Sequence, residues 1–134
     1  MVLERTRDDR EMRLHPESTH VFDLAATTYT LRQEPEYAAN GRTGITLVKN
    51  PQQRIVLEVL RHGTGMGRHR APGPISVQVL EGEIRFEADN EVFYLRKGEL
   101  VELPAHRPHA VEAVHDAAML LTITPETRRE RALQ

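Results

Sequence analysis

The sequence predicts a single all-β domain, a barrel or sandwich built from eight or more short strands. From Val21 onward, short runs alternate apolar and polar residues, and each run is closed by Gly, Pro, Asn or Asp. That pattern is typical of antiparallel strands joined by tight turns. Amphipathic helical stretches are too few for an α/β fold, and no repeat of solenoid length is present. A chain of 134 residues fits one domain.

Eight runs are predicted as strands: 44–48, 54–60, 75–80, 83–88, 92–96, 100–103, 110–114 and 117–124. Asp89-Asn90 is predicted as a turn because both residues tolerate left-handed backbone angles. Gly82 and Gly98 stand where a reversal requires positive φ. The stretch 62–74 contains four glycines and two prolines. It is therefore predicted as a long irregular loop.

The two ends of the chain differ from this pattern. Residues 1–20 are charged and without a clear period, which predicts a flexible arm or a segment that becomes ordered on a partner subunit. Residues 21–134 form the predicted single domain. Only the tail that starts at Pro125 looks helical, since proline suits the first helical position and good helix formers follow it.

Composition excludes several classes of protein. There is no cysteine, so disulfides, thiolate metal sites and a cysteine nucleophile are excluded. A formal charge of -2 gives no electrostatic support for nucleic-acid binding. No run approaches the roughly 18 apolar residues of a membrane helix, and the first twenty residues hold no signal-like apolar stretch. We expect a cytoplasmic protein that binds neither nucleic acid nor membrane.

Two stretches, 63–82 and 98–113, resemble the paired motifs of the cupin superfamily. The first family motif has Gly, five residues, His-x-His, a Glu a few residues on, then six residues and Gly. Gly63 and Gly82 match its glycines, and His69 matches its first histidine. Ala71 stands where the second histidine would be, and Ile75 stands where the glutamate would be.

The second family motif has Gly, five residues, Pro-x-Gly, two residues, His, three residues and Asn. Gly98, Pro104 and His109 match it, whereas His106 replaces the turn glycine and Ala113 replaces the asparagine. The resemblance covers roughly residues 45 to 124. It implies a jelly-roll β-barrel, also called a double-stranded β-helix, with a pocket beside the two motifs and two of the four usual metal ligands missing.

The spacing of the histidines can be argued without the family. Side chains two apart on a strand share a face, so His69 would share a face with Ala71 and Ile75 if the chain were extended there. His109 would likewise share a face with Ala113. If both faces point inward, the barrel has an apolar interior with two imidazoles at its mouth. His106, three residues from His109, could reach the same cavity through a turn.

A metal site is one interpretation of these residues. A divalent transition metal (Zn, Fe, Mn, Ni or Cu) generally takes three or more protein ligands. His69, His109 and His106 are the candidate ligands, with His62 as a remote fourth, and the same three histidines are the candidate ligand-binding residues. The alternative is that they are hydrogen-bonded inside a metal-free pocket.

Other polar residues are assigned to the surface or to structure. Glu58 and Glu102 are expected on the outward, polar faces of their strands. Isolated arginines on strands usually contact solvent or a carboxylate, although they could anchor an anion; these are Arg54, Arg70 and Arg85. The remaining histidines are interpreted as surface or structural residues: His15, His20 and His115.

Three functional hypotheses follow. The first is a small-molecule-binding or sensing cupin in which His69 and His109 orient an organic ligand. The second is an enzyme, either a metal-dependent dioxygenase or isomerase type that uses His69, His109 and His106, or a metal-free enzyme with a histidine as general base. The third is a structural or interaction module. We also expect a homodimer, because edge strands and the N-terminal arm could pair between copies.

Overall fold

Two antiparallel sheets form the domain in a computed structural model that describes residues 10–125. The larger sheet has the strand order β1-β2-β9-β4-β7, and the smaller has the order β3-β8-β5-β6. The strands are β1 Arg42–Lys49, β2 Arg54–Leu60, β3 Gly65–His69, β4 Ile75–Glu81, β5 Glu83–Ala88, β6 Glu91–Arg96, β7 Leu100–Leu103, β8 His109–Ala113 and β9 Ala117–Ile123. This architecture confirms the all-β prediction and is that of a jelly roll.

The main core lies between the two sheets. Alternate residues of β4 and β5 point inward, because successive side chains on a strand point to opposite faces. The buried side chains of these two strands are Ile75, Val77, Val79, Ile84, Phe86 and Ala88. β8 and β9 complete the core with Val111, Ala113, Ala117 and Met119.

Two short helices cover the outer face of the larger sheet, and the sequence analysis missed both of them. They are α1 Leu24–Arg32 and α2 Pro35–Asn40. Leu31 of α1 is 2% exposed and belongs to a second buried cluster with Leu57 and Val59 of β2. The prediction failed because α1 is rich in threonine, a poor helix former. Its start is set instead by Asp23, whose side chain accepts a hydrogen bond from the Ala26 N–H at 3.0 Å.

β3 lies in the stretch that was predicted as an irregular loop, and that prediction is wrong over Gly65–His69. β3 pairs with β8, with an irregular register between Met66 and His69. At Gly65 a Cβ would collide with the Val111 carbonyl oxygen, so the absence of a side chain allows the two backbones to approach. Glycine in this stretch therefore allows a strand to pair closely with its neighbour and does not indicate a loop.

The predicted turns are confirmed by their backbone angles. Gly82 and Gly98 have φ of 77° and 90°, and Asp89 and Asn90 have φ of 54° and 63°. The tail predicted as helical after Pro125 lies outside the described residues.

The described part of the predicted N-terminal arm runs along the chain's own sheet. The Met12 N–H donates to the Thr46 carbonyl at 3.0 Å, and the Thr46 N–H donates to the Arg10 carbonyl at 2.8 Å. Arg10 also forms an ion pair with Glu34 at 2.9 Å. These contacts occupy part of the outer edge of β1. Residues 1–9, which belong to the same prediction, lie outside the described range.

Between residues 10 and 125, neither helix has the length and apolar character required to cross a bilayer.

The two turn glycines allow the cost of backbone strain alone to be compared with the cost of strain plus a steric collision. Both Gly82→Ala and Gly98→Ala place a side chain at positive φ, but only at position 82 would the new Cβ meet backbone, at the Asp116 carbonyl. We expect Gly98→Ala to lower the free energy of unfolding by about 1–2 kcal/mol and Gly82→Ala to lower it by more. Urea denaturation of the two variants measures the difference. Equal losses would contradict the close approach at Gly82.

Candidate functional site

His69 and His109 face each other across two neighbouring strands. They are direct register partners in the β3–β8 pair, and directly opposite residues of an antiparallel pair share a face. Their ring centroids are 4.2 Å apart with an interplanar angle of 62°. His109 is 3% exposed and stacks on Phe86 with a centroid separation of 5.7 Å, whereas His69 is exposed. The structure thus brings these two predicted site residues together at the rim of the barrel.

The hydrogen bonds of the two rings fix which nitrogen carries a proton. His69 Nδ1 lies 2.8 Å from the Gly67 carbonyl oxygen, and His109 Nδ1 lies 3.0 Å from the Arg107 carbonyl oxygen. A carbonyl oxygen can only accept, so Nδ1 is the donor in both rings. In a neutral ring Nε2 then holds the lone pair and can accept a hydrogen bond or a proton.

Burial favours the neutral form of His109. Burial lowers the pKa of His109 below its usual value; the hydrogen bond to the Arg107 carbonyl opposes this shift, and the charge of a protonated His69 lowers the pKa further. A buried neutral imidazole beside a cavity is able to act as a hydrogen-bond acceptor at neutral pH.

The two rings line a cavity of about 330 Å³. Its volume lies at the lower end of the range for small-molecule sites, which are mostly apolar with a few polar groups. Its polar lining residues are Arg54, Glu58, His69, Arg70 and His109. Its apolar lining residues are Val56, Met66, Ala71, Pro72, Ile75, Leu121, Ile123 and Pro125.

Ala71 and Ile75 lie in the lining, as their motif positions predict. Ile75 is 5% exposed and packs in the main core. Neither side chain offers a donor atom, so these positions contribute apolar wall rather than metal ligands.

Glu58 is the site residue that sequence reasoning assigned wrongly. It was expected on an outward, polar face, but it is 3% exposed and lines the cavity. Arg54, Val56 and Glu58 alternate along the inner face of β2, which places Glu58 about 13 Å along the strand from Arg54. Gly44 lies opposite Glu58 on β1, and a Cβ there would come within 2.5 Å of Glu58 Oε2.

His106 lies apart from the cavity lining. It is exposed, has φ of 66°, and its N–H donates to the Ala71 carbonyl at 2.8 Å. The structure therefore does not bring His106 into the pocket with His69 and His109. His62, the remote fourth candidate ligand, is exposed as well. The Arg85 side chain forms an ion pair with the Glu87 carboxylate at 3.9 Å on the outer surface.

The donor set does not fit a resident transition metal. Over residues 10–125, no group of three or more His, Asp or Glu side chains is arranged to hold a metal ion. Two imidazoles alone fall short of the three protein ligands that catalytic zinc and similar sites use.

The lowered pKa of His109 predicts how stability depends on pH. The unfolded chain, with an imidazole pKa of about 6.5, binds this proton more readily than the folded chain does. The His109 contribution to the free energy of unfolding is therefore present above that pH and decreases as the pH falls below it. Between about pH 7.5 and 5.5, wild type should lose more stability than His109→Phe, as measured by urea denaturation at each pH. The control Ala39→Phe, which adds the same side chain at an exposed position of α2, should keep the wild-type slope. Parallel curves for wild type and His109→Phe would contradict a neutral buried ring.

Comparisons with known proteins agree with this geometry. The chain resembles a conserved protein of unknown function from Streptococcus pyogenes, with 30% identity over 81% of this chain and 90% of that one, and a TM-score of 0.67. A cupin 2 conserved barrel domain protein from Leptotrichia buccalis shows 34% identity over 62% of this chain and 40% of that one, with a TM-score of 0.60. Salicylate 1,2-dioxygenase from Pseudoaminobacter salicylatoxidans shares the fold at 20% identity, over 76% of this chain and 34% of that one, with a TM-score of 0.66.

No curated protein sequence matches the chain. The family model described as "Cupin domain" matches residues 56–124, which include most of β2, all of β3 to β9 and both histidines of the cavity. The chain therefore belongs to the cupin family.

Proposed function

We propose that this protein binds a small organic molecule in the cavity between His69 and His109, without a resident metal. The observation that carries the proposal is a cavity of about 330 Å³ whose walls are apolar around two neighbouring imidazoles. Apolar walls favour a ligand with a hydrocarbon or aromatic body. The Nε2 lone pair of neutral His109 favours a ligand that carries a hydrogen-bond donor. Either ligand binding alone or ligand sensing is compatible with such a site.

An enzymatic function is the second candidate, and the state of His109 favours a metal-free form of it. A neutral imidazole whose Nδ1–H is fixed by the Arg107 carbonyl presents Nε2 as a base. The dioxygenase or isomerase type with His69, His109 and His106 as metal ligands has less support, because His106 is outside the lining. A purely structural or interaction role remains the outcome if no ligand binds.

Two further parts of the proposal concern the setting in which the protein works. We propose a cytoplasmic location, because the chain lacks the disulfides that are typical of small secreted domains. We also propose that the protein forms a homodimer.

Ligand binding is tested with a panel of small aromatic and aliphatic alcohols, amides and carboxylic acids. We expect at least one compound to raise the melting temperature of the wild type, because a ligand that binds only the folded state stabilises it. Ala71→Phe should abolish the shift in melting temperature, because the larger side chain fills the cavity. His109→Phe should raise the dissociation constant of the ligand about tenfold or more, because it removes the Nε2 acceptor. Differential scanning fluorimetry and calorimetry measure both effects.

The matched control is Ala39→Phe, which adds the same side chain at an exposed position of α2. It should bind the panel compound as the wild type does. A shift that survives in Ala71→Phe, or a panel that gives no shift with folded protein, would count against the pocket.

Metal content separates the binding site from a metalloenzyme. Protein purified without chelator should contain far less than one transition-metal ion per chain by elemental analysis, since His69 and His109 supply only two ligands. Addition of EDTA should leave both the melting temperature and the ligand-induced shift unchanged. One metal ion per chain that is lost in both His69→Ala and His109→Ala would instead establish a metal centre and overturn this part of the proposal.

A further inference from the structure

The edge strand β6 is exposed on both of its faces. It closes the smaller sheet and pairs, among residues 10–125, only with β5. Val92, Phe93 and Tyr94 are 41%, 36% and 58% exposed. Leu100, on the neighbouring edge strand β7, is 56% exposed. Among residues 10–125, six large apolar side chains are exposed, and three of them lie next to each other on β6.

Natural proteins usually protect an edge strand with a proline, a bulge or an inward-pointing charge in its middle. β6 has none of these between Val92 and Leu95, and its register with β5 runs without a break. An open, unbroken and apolar edge is suited to pairing with another strand.

The direction of the main-chain groups of β6 can be read from its last residue. The Arg96 N–H donates to Glu99 Oε1 at 2.7 Å, and the Arg96 carbonyl accepts from the Glu99 N–H at 2.9 Å. Both groups therefore point away from β5. Glu83 on β5, the register partner of Arg96, shows the same arrangement. Its carbonyl accepts a hydrogen bond from the Val114 N–H at 2.9 Å, on the side of β5 that faces away from β6.

Main-chain groups alternate in direction along an antiparallel strand. Since those of Arg96 point away from β5, those of Tyr94 and Val92 do so as well. This edge therefore presents two N–H donors and two carbonyl acceptors beside exposed apolar side chains, at Val92 and Tyr94.

We propose that β6 pairs antiparallel with β6 of a second copy of this chain, about a two-fold axis at Phe93. A two-fold axis requires one residue to lie opposite its own copy. With Phe93 on the axis, Val92 of each copy lies opposite Tyr94 of the other. This register uses all the outward N–H and carbonyl groups of Val92 and Tyr94 in four inter-chain hydrogen bonds. It leaves the Arg96 groups, which the Glu99 turn occupies, outside the ladder.

The side chains of β6 are complementary to themselves in this register. Val92 packs against the second copy's Tyr94, an aliphatic–aromatic pair of the kind that stabilises sheets, and the two Phe93 rings meet at the axis. Glu91 lies diagonal to the second copy's Lys97, so opposite charges approach at both ends of the interface. Because β6 is complementary to itself in this way, we infer that the strand that pairs with it is β6 of a second copy. The inference rests on the homodimer proposed above and names its interface, and it is independent of the cavity because it involves no lining residue.

The first test removes a single hydrogen-bond donor from the interface. Tyr94→Pro eliminates an N–H that points away from β5, so the monomer should fold with its β5–β6 ladder intact, as circular dichroism would show. In sedimentation velocity, wild type should have twice the 15.3 kDa chain mass, and the variant should dissociate at least about tenfold more readily. If the proline variant does not fold, Tyr94→Lys replaces it, and Tyr29→Lys on α1 is the matched control that stays dimeric.

The second test uses the absence of cysteine, so that any disulfide must join two copies. Residues opposite each other in a non-hydrogen-bonded pair have Cα atoms about 4.5 Å apart, within the range that a disulfide spans. Phe93→Cys should cross-link to a covalent dimer under mild oxidation. Val92→Cys alone should cross-link far less, whereas an equal mixture of Val92→Cys and Tyr94→Cys should cross-link well. Tyr29→Cys is the exposed control.

These experiments decide the proposal in either direction. A dimer that is lost in Tyr94→Pro or Tyr94→Lys and trapped by Phe93→Cys supports it. A wild type that is monomeric at about 100 μM, well above the dissociation constant of a typical stable interface, overturns it. So does a dimer that persists in the Tyr94 variants, or a Phe93→Cys protein that cross-links no faster than the Tyr29→Cys control.

Discussion

The direct pairing of His69 with His109 across β3 and β8 is the contact on which the candidate site depends. In a sheet, a shift of one residue turns a side chain to the opposite face, so a slip of β3 would remove His69 from the cavity. The irregular register between Met66 and His69 sets this alignment. Gly65 allows β3 to approach the backbone of β8 closely enough to keep it. A glycine without a side chain thus helps to determine where the two imidazoles meet.

Eight of the nine strands could be predicted, because alternation and turn residues are local signals, whereas β3 was taken for a loop. The meeting of His69 and His109 was expected from the two motifs and from strand faces that both point inward. The position of Glu58 could not be predicted, and the reason lies in α1. A strand with one face in water shows which residues point inward by their polarity, but α1 covers the outer face of β2 with Leu31, so β2 is apolar on both sides. Alternation then no longer distinguishes the faces, and a carboxylate was assigned to the surface. One missed helix therefore accounts for one misplaced site residue.

Two apolar residues decide what kind of chemistry the cavity favours. Ala71 and Ile75 occupy positions at which the cupin motif carries metal ligands, and both line the cavity. Compared with the histidine and glutamate of the motif, their side chains offer no donor atom and form apolar wall at the same positions. His109 lines the same cavity, and burial lowers its pKa, so the wall offers a neutral imidazole where two donor atoms are missing.

The position of the Glu58 carboxylate depends on a residue outside the cavity lining. Gly44, on the edge strand β1, leaves the space that the Glu58 carboxylate occupies, and one methyl group there would come within 2.5 Å of it. Since the end of a glutamate side chain is flexible, such a methyl group would push the carboxylate toward the cavity rather than unfold the strand. Among related barrels, a change between glycine and alanine on the outermost strand would therefore move the carboxylate of the pocket while every lining residue stays the same.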